Sequence, residues 1–265
     1  ITYRARIVVF SNDRVQKSEL STYEDLANAK WKNRILVRSS SNAYNQALMS
    51  SLIANLGSDI ASNWSEGIVK NFARDPKGND RDQVKAIAAG QGDLAIVNSY
   101  YIGLLLSSEN EEEINAGKSV SVFFPNQGFG ERGSHINVSG IGLSKNSPNK
   151  DNAIKLMEYL TSEEAQNTYV NNSFEYAANP NVKPSKIVQS WGTFNRDNLE
   201  AVGDTLCLCY LEYTQFTKYC KILQTFNDVL LEKVLDIAKE VNLLKLESRA
   251  IDEILEWVSS SWFSS

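Results

Sequence analysis

Two adjacent tyrosines, Tyr100 and Tyr101, stand where a strand is predicted to end and a helix to begin. The apolar residues 94–97 predict a short buried strand, and Asn98 with Ser99 could cap the helix that follows. In α/β folds, ligands bind at the carboxyl ends of strands, where a helix N-terminus also offers backbone N–H donors. The pair therefore indicates a ligand site with two phenol groups. The alternative is that both rings are ordinary, half-buried aromatic side chains.

A second strand-to-helix junction carries similar groups. Residues 34–38 predict a strand, and residues 43–56 predict a helix with Tyr44 in its first turn. Four polar residues lie between the two elements: Ser39, Ser40, Ser41 and Asn42. Their hydroxyls, together with the N–H groups of the helix start, make this junction as rich in hydrogen-bonding groups as the first one.

The composition is that of a soluble globular protein. A chain of 265 residues can bury a sizeable core in one or two domains, and 42% of its residues are hydrophobic and 22% charged. The net charge of −5 argues against a nucleic-acid surface, and no apolar run approaches the roughly 20 residues of a membrane span. Because the chain starts with Ile1 and carries no signal-peptide pattern, we expect a mature or incomplete chain.

Few residues of this chain could support other site chemistry. The sole histidine, His135, excludes a site with several histidines, and we interpret it as structural or hinge-related. The cysteines at 207, 209 and 220 lack a fourth zinc ligand in sequence, so buried free cysteines are the preferred interpretation. The chain has no G-x-S-x-G elbow, no P-loop and no G-x-G-x-x-G after a strand. A hydrolase with a Tyr or Ser nucleophile stays as an alternative.

The elements that must position these residues alternate between strands and helices, which predicts a three-layer α/β/α architecture with a mixed sheet. The predicted strands are residues 4–10, 34–38, 94–97, 120–124 and 136–143. The predicted helices are residues 23–29, 43–56, 58–72, 81–89, 149–160 and 162–170, with another that starts at the tyrosine pair.

Several motifs in this order resemble the periplasmic ferric-iron-binding proteins of bacterial ABC importers. The match covers about residues 1–199, and its motifs include RARIVVF (4–10), RSSSNAYNQ (38–46), NFARDPKGNDRDQVKAIAAGQGDLAIVNSYYIG (71–103), HINVSGIGL (135–143) and NAIKLMEYLTSEEAQ (152–166). The resemblance implies a type II periplasmic-binding-protein-like fold with one lobe complete and the other partial, because the family's first lobe begins before Ile1. That earlier part carries a further ligand in the family, so we expect an N-terminally incomplete chain.

The resemblance also implies a division of the chain. Residues 1–12 would form a hinge or crossover strand, residues 13–134 the ligand-binding lobe, and residues 135–200 a return segment to the partial first lobe. Residues 201–265 depart from the family pattern, and their apolar periodicity predicts a divergent tail of two or three helices. A helical cap over the incomplete lobe and a fused or frameshifted tail are both open interpretations.

The resemblance assigns metal ligands. Tyr100 and Tyr101 would supply phenolate oxygens to Fe(III), and Tyr44 matches a further ligand in a subset of the family. A hard, highly charged cation prefers anionic oxygen donors and can deprotonate a phenol of pKa near 10. By analogy, a synergistic anion, carbonate or phosphate, would bind beside the iron at Ser39, Ser40, Ser41 and Asn42. Asn98, Arg4 and Arg6 are further candidates for the anion, although surface or salt-bridge roles are equally open for the two arginines.

The function implied by the resemblance is that of an extracytoplasmic solute-binding protein without catalysis. It would be periplasmic and monomeric, would bind ferric iron in an interlobe cleft, and would deliver it to the permease of an ABC importer. Two alternatives stay open: an incomplete fragment that binds no metal tightly, and an anion-binding or hydrolytic α/β protein.

Overall fold

The central strand of the fold, β1 (Thr2–Ser11), pairs with four other strands in the computed structural model, which describes residues 1–197. Its first part pairs antiparallel with β5 (Ile136–Ser139) and β6 (Tyr176–Ala177). Its second part pairs antiparallel with β3 (Leu94–Asn98) and β4 (Val120–Phe123). The strand is almost entirely buried, which explains the β-branched run at its centre.

The sheet is mixed, as predicted. A short strand, β2 (Ile35–Leu36), pairs parallel with β3, whereas every strand paired with β1 is antiparallel to it. The order on the main path is β2-β3-β1-β4. The parallel pair brings the end of β2 and the end of β3 to the same edge, so the two polar junctions of the sequence follow neighbouring strands.

Helices cover both faces of the sheet, which confirms the predicted layers. Ile7 and Val9 of β1 pack in one core with α3 and α4, while Val8 and Phe10 point into a second core with α1 and α2. The alternation follows from the two-residue period of a strand. The helices are α1 (Ala43–Leu56), α2 (Ser58–Lys70), α3 (Asp80–Ala88), α4 (Tyr100–Leu106), α5 (Glu111–Lys118), α6 (Lys150–Thr161), α7 (Glu163–Ser173) and α8 (Lys186–Ser190).

Three predicted elements differ in the structure, and the first is the strand expected at residues 34–38, of which only Ile35–Leu36 form β2. The expected helix 23–29 is instead a set of short 3-10 turns, Glu24–Ala27 and Ala29–Trp31, because Asn28 between them is extended and its side chain accepts a hydrogen bond from Lys30 N at 3.0 Å. Strand β5 ends at Ser139 and not at residue 143. The elements β6 and α8 were not predicted, since a two-residue strand and a five-residue helix carry too little periodicity.

Helix α6 has an apolar stripe that is not buried. The spacing of its apolar residues predicts an inward face, yet no residue of α6 is buried within the described part of the chain. Leu156 is 54% exposed, and Val138 of β5 is 58% exposed.

The described residues fall in one compact unit, Ile1–Thr205. The predicted division at residues 12, 134 and 200 stays a prediction, although the change of partners along β1 is the geometry expected of a crossover strand. The predicted helical tail and the three cysteines lie outside the described residues. Among residues 1–197, no helix is long and apolar enough to cross a membrane.

Candidate metal centre

Three phenol groups from two helices lie together at the edge of the sheet. The ring centroids of Tyr100 and Tyr101, the first two residues of α4, are 4.1 Å apart. Burial, followed by hydrogen bonding with Tyr101 and with Tyr44, raises the pKa of the Tyr100 phenol well above its usual value. The structure therefore brings together the three tyrosines that the sequence analysis selected from two separate junctions, although their role as ligands stays a prediction.

This cluster favours a cation of high charge. Burial and the neighbouring phenols disfavour the charged form of Tyr100 and raise its pKa. A trivalent ion among them would reverse that balance and displace the protons. Within residues 1–197 there is no group of three or more His, Cys, Asp or Glu side chains that could hold a metal ion. The three tyrosines are the candidate oxygen donors that these two junctions bring together.

Local hydrogen bonds fix where Tyr44 lies. Asn42 is extended, and its side chain accepts a hydrogen bond from Tyr44 N at 3.1 Å, which satisfies one of the free N–H groups at the start of α1. The cap sets the first turn of the helix, and Tyr44 is the second residue of that turn. Asn42 thus acts as a helix cap, and any contact of this residue with an anion stays a prediction.

The Tyr100–Tyr101 pair is fixed by contacts with β1. Ser99 N donates to Ala5 O at 2.9 Å, and Ser99 Oγ accepts from Ala5 N at 3.2 Å. Ser99 is the N-cap residue of α4, as expected, but its hydroxyl accepts from β1 and makes no side-chain cap bond in the helix. The tyrosine pair begins one residue after this anchor point.

The serines of the second junction differ in their bonding. Ser39 Oγ lies 2.8 Å from Ser41 Oγ and accepts from Ser41 N at 3.2 Å, so these two residues stabilise their own turn. Ser40 Oγ is buried and has no hydrogen-bond partner. Of the three hydroxyls predicted to bind an anion, that of Ser40 has the most unused bonding capacity.

The two arginines predicted near the cleft have different surroundings. The guanidinium of Arg4 lies 5.4 Å from the centre of the Tyr44 ring, donates to Ser139 Oγ, and is 3.9 Å from Glu175 Oε1. It therefore adds positive charge beside the phenols. Arg6 is fully buried, and its guanidinium is engaged by protein groups. The salt-bridge role left open for Arg6 is the one that the structure shows.

The sequence analysis did not identify the partner of Arg6. Arg6 Nη1 donates to Asp80 Oδ2 at 2.7 Å and to Asn98 Oδ1 at 3.3 Å. Asp80 is fully buried at the start of α3 and also accepts from Asn98 N at 2.8 Å, while Arg38 Nη1 lies 3.4 Å from its other oxygen. In the sequence, Asp80 looks like any acidic residue in the first turn of a helix. Only its position four residues before Val84, on the buried face of the same helix, hints at burial.

The single histidine contacts a buried carboxylate. His135 is buried, and its Nδ1 lies 2.9 Å from Asp197 Oδ2. The hydroxyl of Ser51 donates to that same carboxylate oxygen at 2.5 Å and not to the imidazole. This contact does not form the nucleophile–base pair of a hydrolase. It fits the structural role predicted for His135.

The chain is similar in sequence to a family of bacterial binding proteins. A family model for bacterial extracellular solute-binding proteins matches residues 1–196. Iron uptake protein A1 of Synechocystis is 44% identical over 207 residues, which are 77% of this chain and 57% of the relative. Iron uptake protein A2 of the same organism is 48% identical over 198 residues, which are 75% of this chain and 57% of the relative.

A solved structure is similar over the same region. The Trichodesmium FutA structure, in complex with iron and citrate, superposes with a TM-score of 0.74 at 45% identity and covers 78% of this chain. The match covers 67% of the FutA chain. With 57% of each Synechocystis protein covered, this chain spans a little over half the length of the curated relatives that it matches.

Proposed function

We propose that this chain, which belongs to the bacterial extracellular solute-binding proteins, binds ferric iron through the phenolate oxygens of Tyr100, Tyr101 and Tyr44. Its fold is the type II periplasmic-binding-protein fold, an α/β fold with a mixed sheet, as predicted. The observation that carries the proposal is the meeting of three phenols from two strand-to-helix junctions.

The donor chemistry supports ferric iron over softer metals. Zinc and copper sites usually recruit histidine or cysteine, whereas phenolate is a hard, anionic oxygen donor. The only histidine of the chain is bonded to a carboxylate away from the phenols. The relatives called iron uptake proteins and the iron-bound Trichodesmium structure agree with this preference.

A synergistic anion would complete the charge balance. The unpartnered hydroxyl of Ser40, the start of α1 and the guanidinium of Arg4 lie on the Tyr44 side of the site. Carbonate and phosphate are the anions expected there, and the Trichodesmium relative holds citrate with its iron. Ser39 and Ser41 are weaker candidates, because the two serines bond each other. Asn98 Nδ2 is buried without a hydrogen-bond partner, as Ser40 Oγ is, and so keeps a free donor for the anion.

The biological role that we propose is delivery and not catalysis. The protein would carry ferric iron in the periplasm to the permease of an ABC importer, as a monomer. The family description places such proteins outside the cytoplasm, and the relatives are named for iron uptake. Hydrolysis is the alternative, and turnover of ester substrates would support it.

Titration with ferric nitrilotriacetate tests the proposal. A broad phenolate-to-iron charge-transfer band should appear in the wild type and be lost in the Tyr100→Phe/Tyr101→Phe variant. Tyr159→Phe is the matched control, because Tyr159 is half exposed on α6. Circular dichroism would establish that each protein is folded. A folded wild type without the band would overturn the proposal for this chain.

A further inference from the structure

Arg6 lies where the central strand changes partners. Ala5 is the last residue of β1 that pairs with β5, at Ile136, and Arg6 is the first that pairs with β3, at Asn98. Its backbone is fixed at this point, since Arg6 N donates to His135 O at 2.8 Å and its carbonyl accepts from the Tyr23 hydroxyl. The backbone of Arg6 is therefore held in place independently of the contacts that its guanidinium makes.

The guanidinium connects the two tyrosine-bearing junctions. Nη2 donates to Asn45 Oδ1 at 2.5 Å, and Asn45 is the residue after Tyr44. Nη1 donates to Asn98 Oδ1, and Asn98 is two residues before Tyr100. The same nitrogen is paired with Asp80, which holds the Asn98 backbone as well.

We infer that Arg6 is a positioning residue of the iron site, which sets the distance between Tyr44 and the Tyr100–Tyr101 pair; the inference rests on the proposed function. The planar guanidinium of Arg6 contacts both the start of the helix that carries Tyr44 and the end of the strand that precedes Tyr100. Arg6 itself contacts neither iron nor the anion, because its side chain is fully buried among protein partners.

The chemistry of arginine suits this role. A guanidinium offers N–H donors in a fixed plane, so two acceptors on different elements are held at one mutual geometry. A lysine would keep the charge but would not hold both acceptors in that way. Loss of a partner behind the metal ligands typically lowers metal affinity by about 10- to 100-fold.

Asn45→Ala is the decisive variant, because it removes the Tyr44 end of the bridge and leaves the Arg6–Asp80 pair intact. We expect about tenfold weaker iron binding in competition with a chelator and a charge-transfer band shifted toward that of Tyr44→Phe. Asn45 Nδ2 also donates to Arg38 O and Ser39 O, and Asn45→Asp loses these two bonds while it keeps an oxygen for Arg6. We expect Asn45→Asp to keep the wild-type band, whereas a band shifted as in Asn45→Ala would assign the effect to the Nδ2 bonds and overturn the role of Arg6. Asn55→Ala on the same helix is the matched control, since its amide likewise donates to a backbone carbonyl, Ser51 O.

A double-mutant cycle separates positioning from a general loss of stability. In the Tyr44→Phe background, Asn45→Ala should weaken iron binding no further, because the group it positions is already absent. Arg6→Lys should weaken iron binding and shift the band as Asn45→Ala does. If Arg6→Lys does not fold, the result with Asn45→Ala alone tests the positioning role.

Equal losses in both backgrounds, or a folded Asn45→Ala with wild-type affinity and spectrum, would overturn the positioning role alone. A folded wild type without a band would overturn the proposed function and the inference with it.

Discussion

Replacement of Asp80 by asparagine should destabilise the protein strongly while it changes the side-chain volume little. Asp80 is fully buried, and its carboxylate accepts hydrogen bonds from Arg6 and from the Asn98 backbone. The asparagine removes the negative charge and leaves the Arg6 guanidinium without compensation in the core. Loss of one member of a buried pair typically costs about 3–5 kcal/mol.

The lower end of that range applies to Asp80→Asn. The amide oxygen can still accept one hydrogen bond. The second cation near Asp80 is Arg38, whose Nη1 lies 3.4 Å from Asp80 Oδ1 and whose side chain is partly exposed to solvent. We therefore expect a loss of about 3 kcal/mol in the free energy of unfolding, because one charge loses its partner. For a domain of this size, that corresponds to a fall of about 6–12 °C in Tm.

Urea denaturation followed by tryptophan fluorescence measures this loss, since Trp31 is fully buried. Asp82→Asn is the control, because Asp82 lies on the exposed side of the same helix start and helps to cap it. A loss below about 1 kcal/mol in Asp80→Asn would refute the idea that this pair supports the fold.

Two further predictions concern iron release and packing. The proposed iron binding must expel the proton of Tyr100, whose pKa is raised, so each proton released should raise the apparent association constant about tenfold per pH unit. Chelator competition between pH 5 and pH 8 checks this, and pH-independent affinity would contradict it. Gly103→Ala should cost about 1–3 kcal/mol in thermal unfolding, because its Cβ would come within 2.5 Å of Phe174 Cβ and closer to the ring. Gly140→Ala, where a Cβ meets open space, is the control, and equal Tm values for the two variants would contradict the clash.

The sequence was sufficient to predict the elements that carry the phenols. The helix predicted at residues 43–56 has those bounds in the structure, Ala43–Leu56, because a polar cap precedes it and Gly57 follows it. Strand β3 was predicted to within one residue, since its continuous apolar run is buried on both faces. Local signals were enough here, because both ends of each element are marked by residues that stop or start it.

Contacts between distant residues could not be predicted in the same way. The pairing of Arg6 with Asp80 depends on which acidic side chain the fold brings to β1. The order of residues in the sequence does not distinguish Asp80 from the other acidic residues. The resemblance suggested Arg6 as an anion ligand, but its depth in the core follows only from the position of α1 and α3 around it. The exposed stripe of α6 was missed for the same reason, since periodicity shows a face without showing what covers it.

Three successive residues of β1 organise the candidate site. Arg4 places its charge against the Tyr44 ring, Ala5 holds Ser99 just before the tyrosine pair, and Arg6 holds the groups behind both junctions. The same part of β1 is where pairing with β5 ends and pairing with β3 begins. A change of strand pairing at this point would therefore alter the distance between the phenols. Because a metal site tolerates little error in ligand position, we expect affinity at the proposed iron site to depend on where β1 changes its pairing partners.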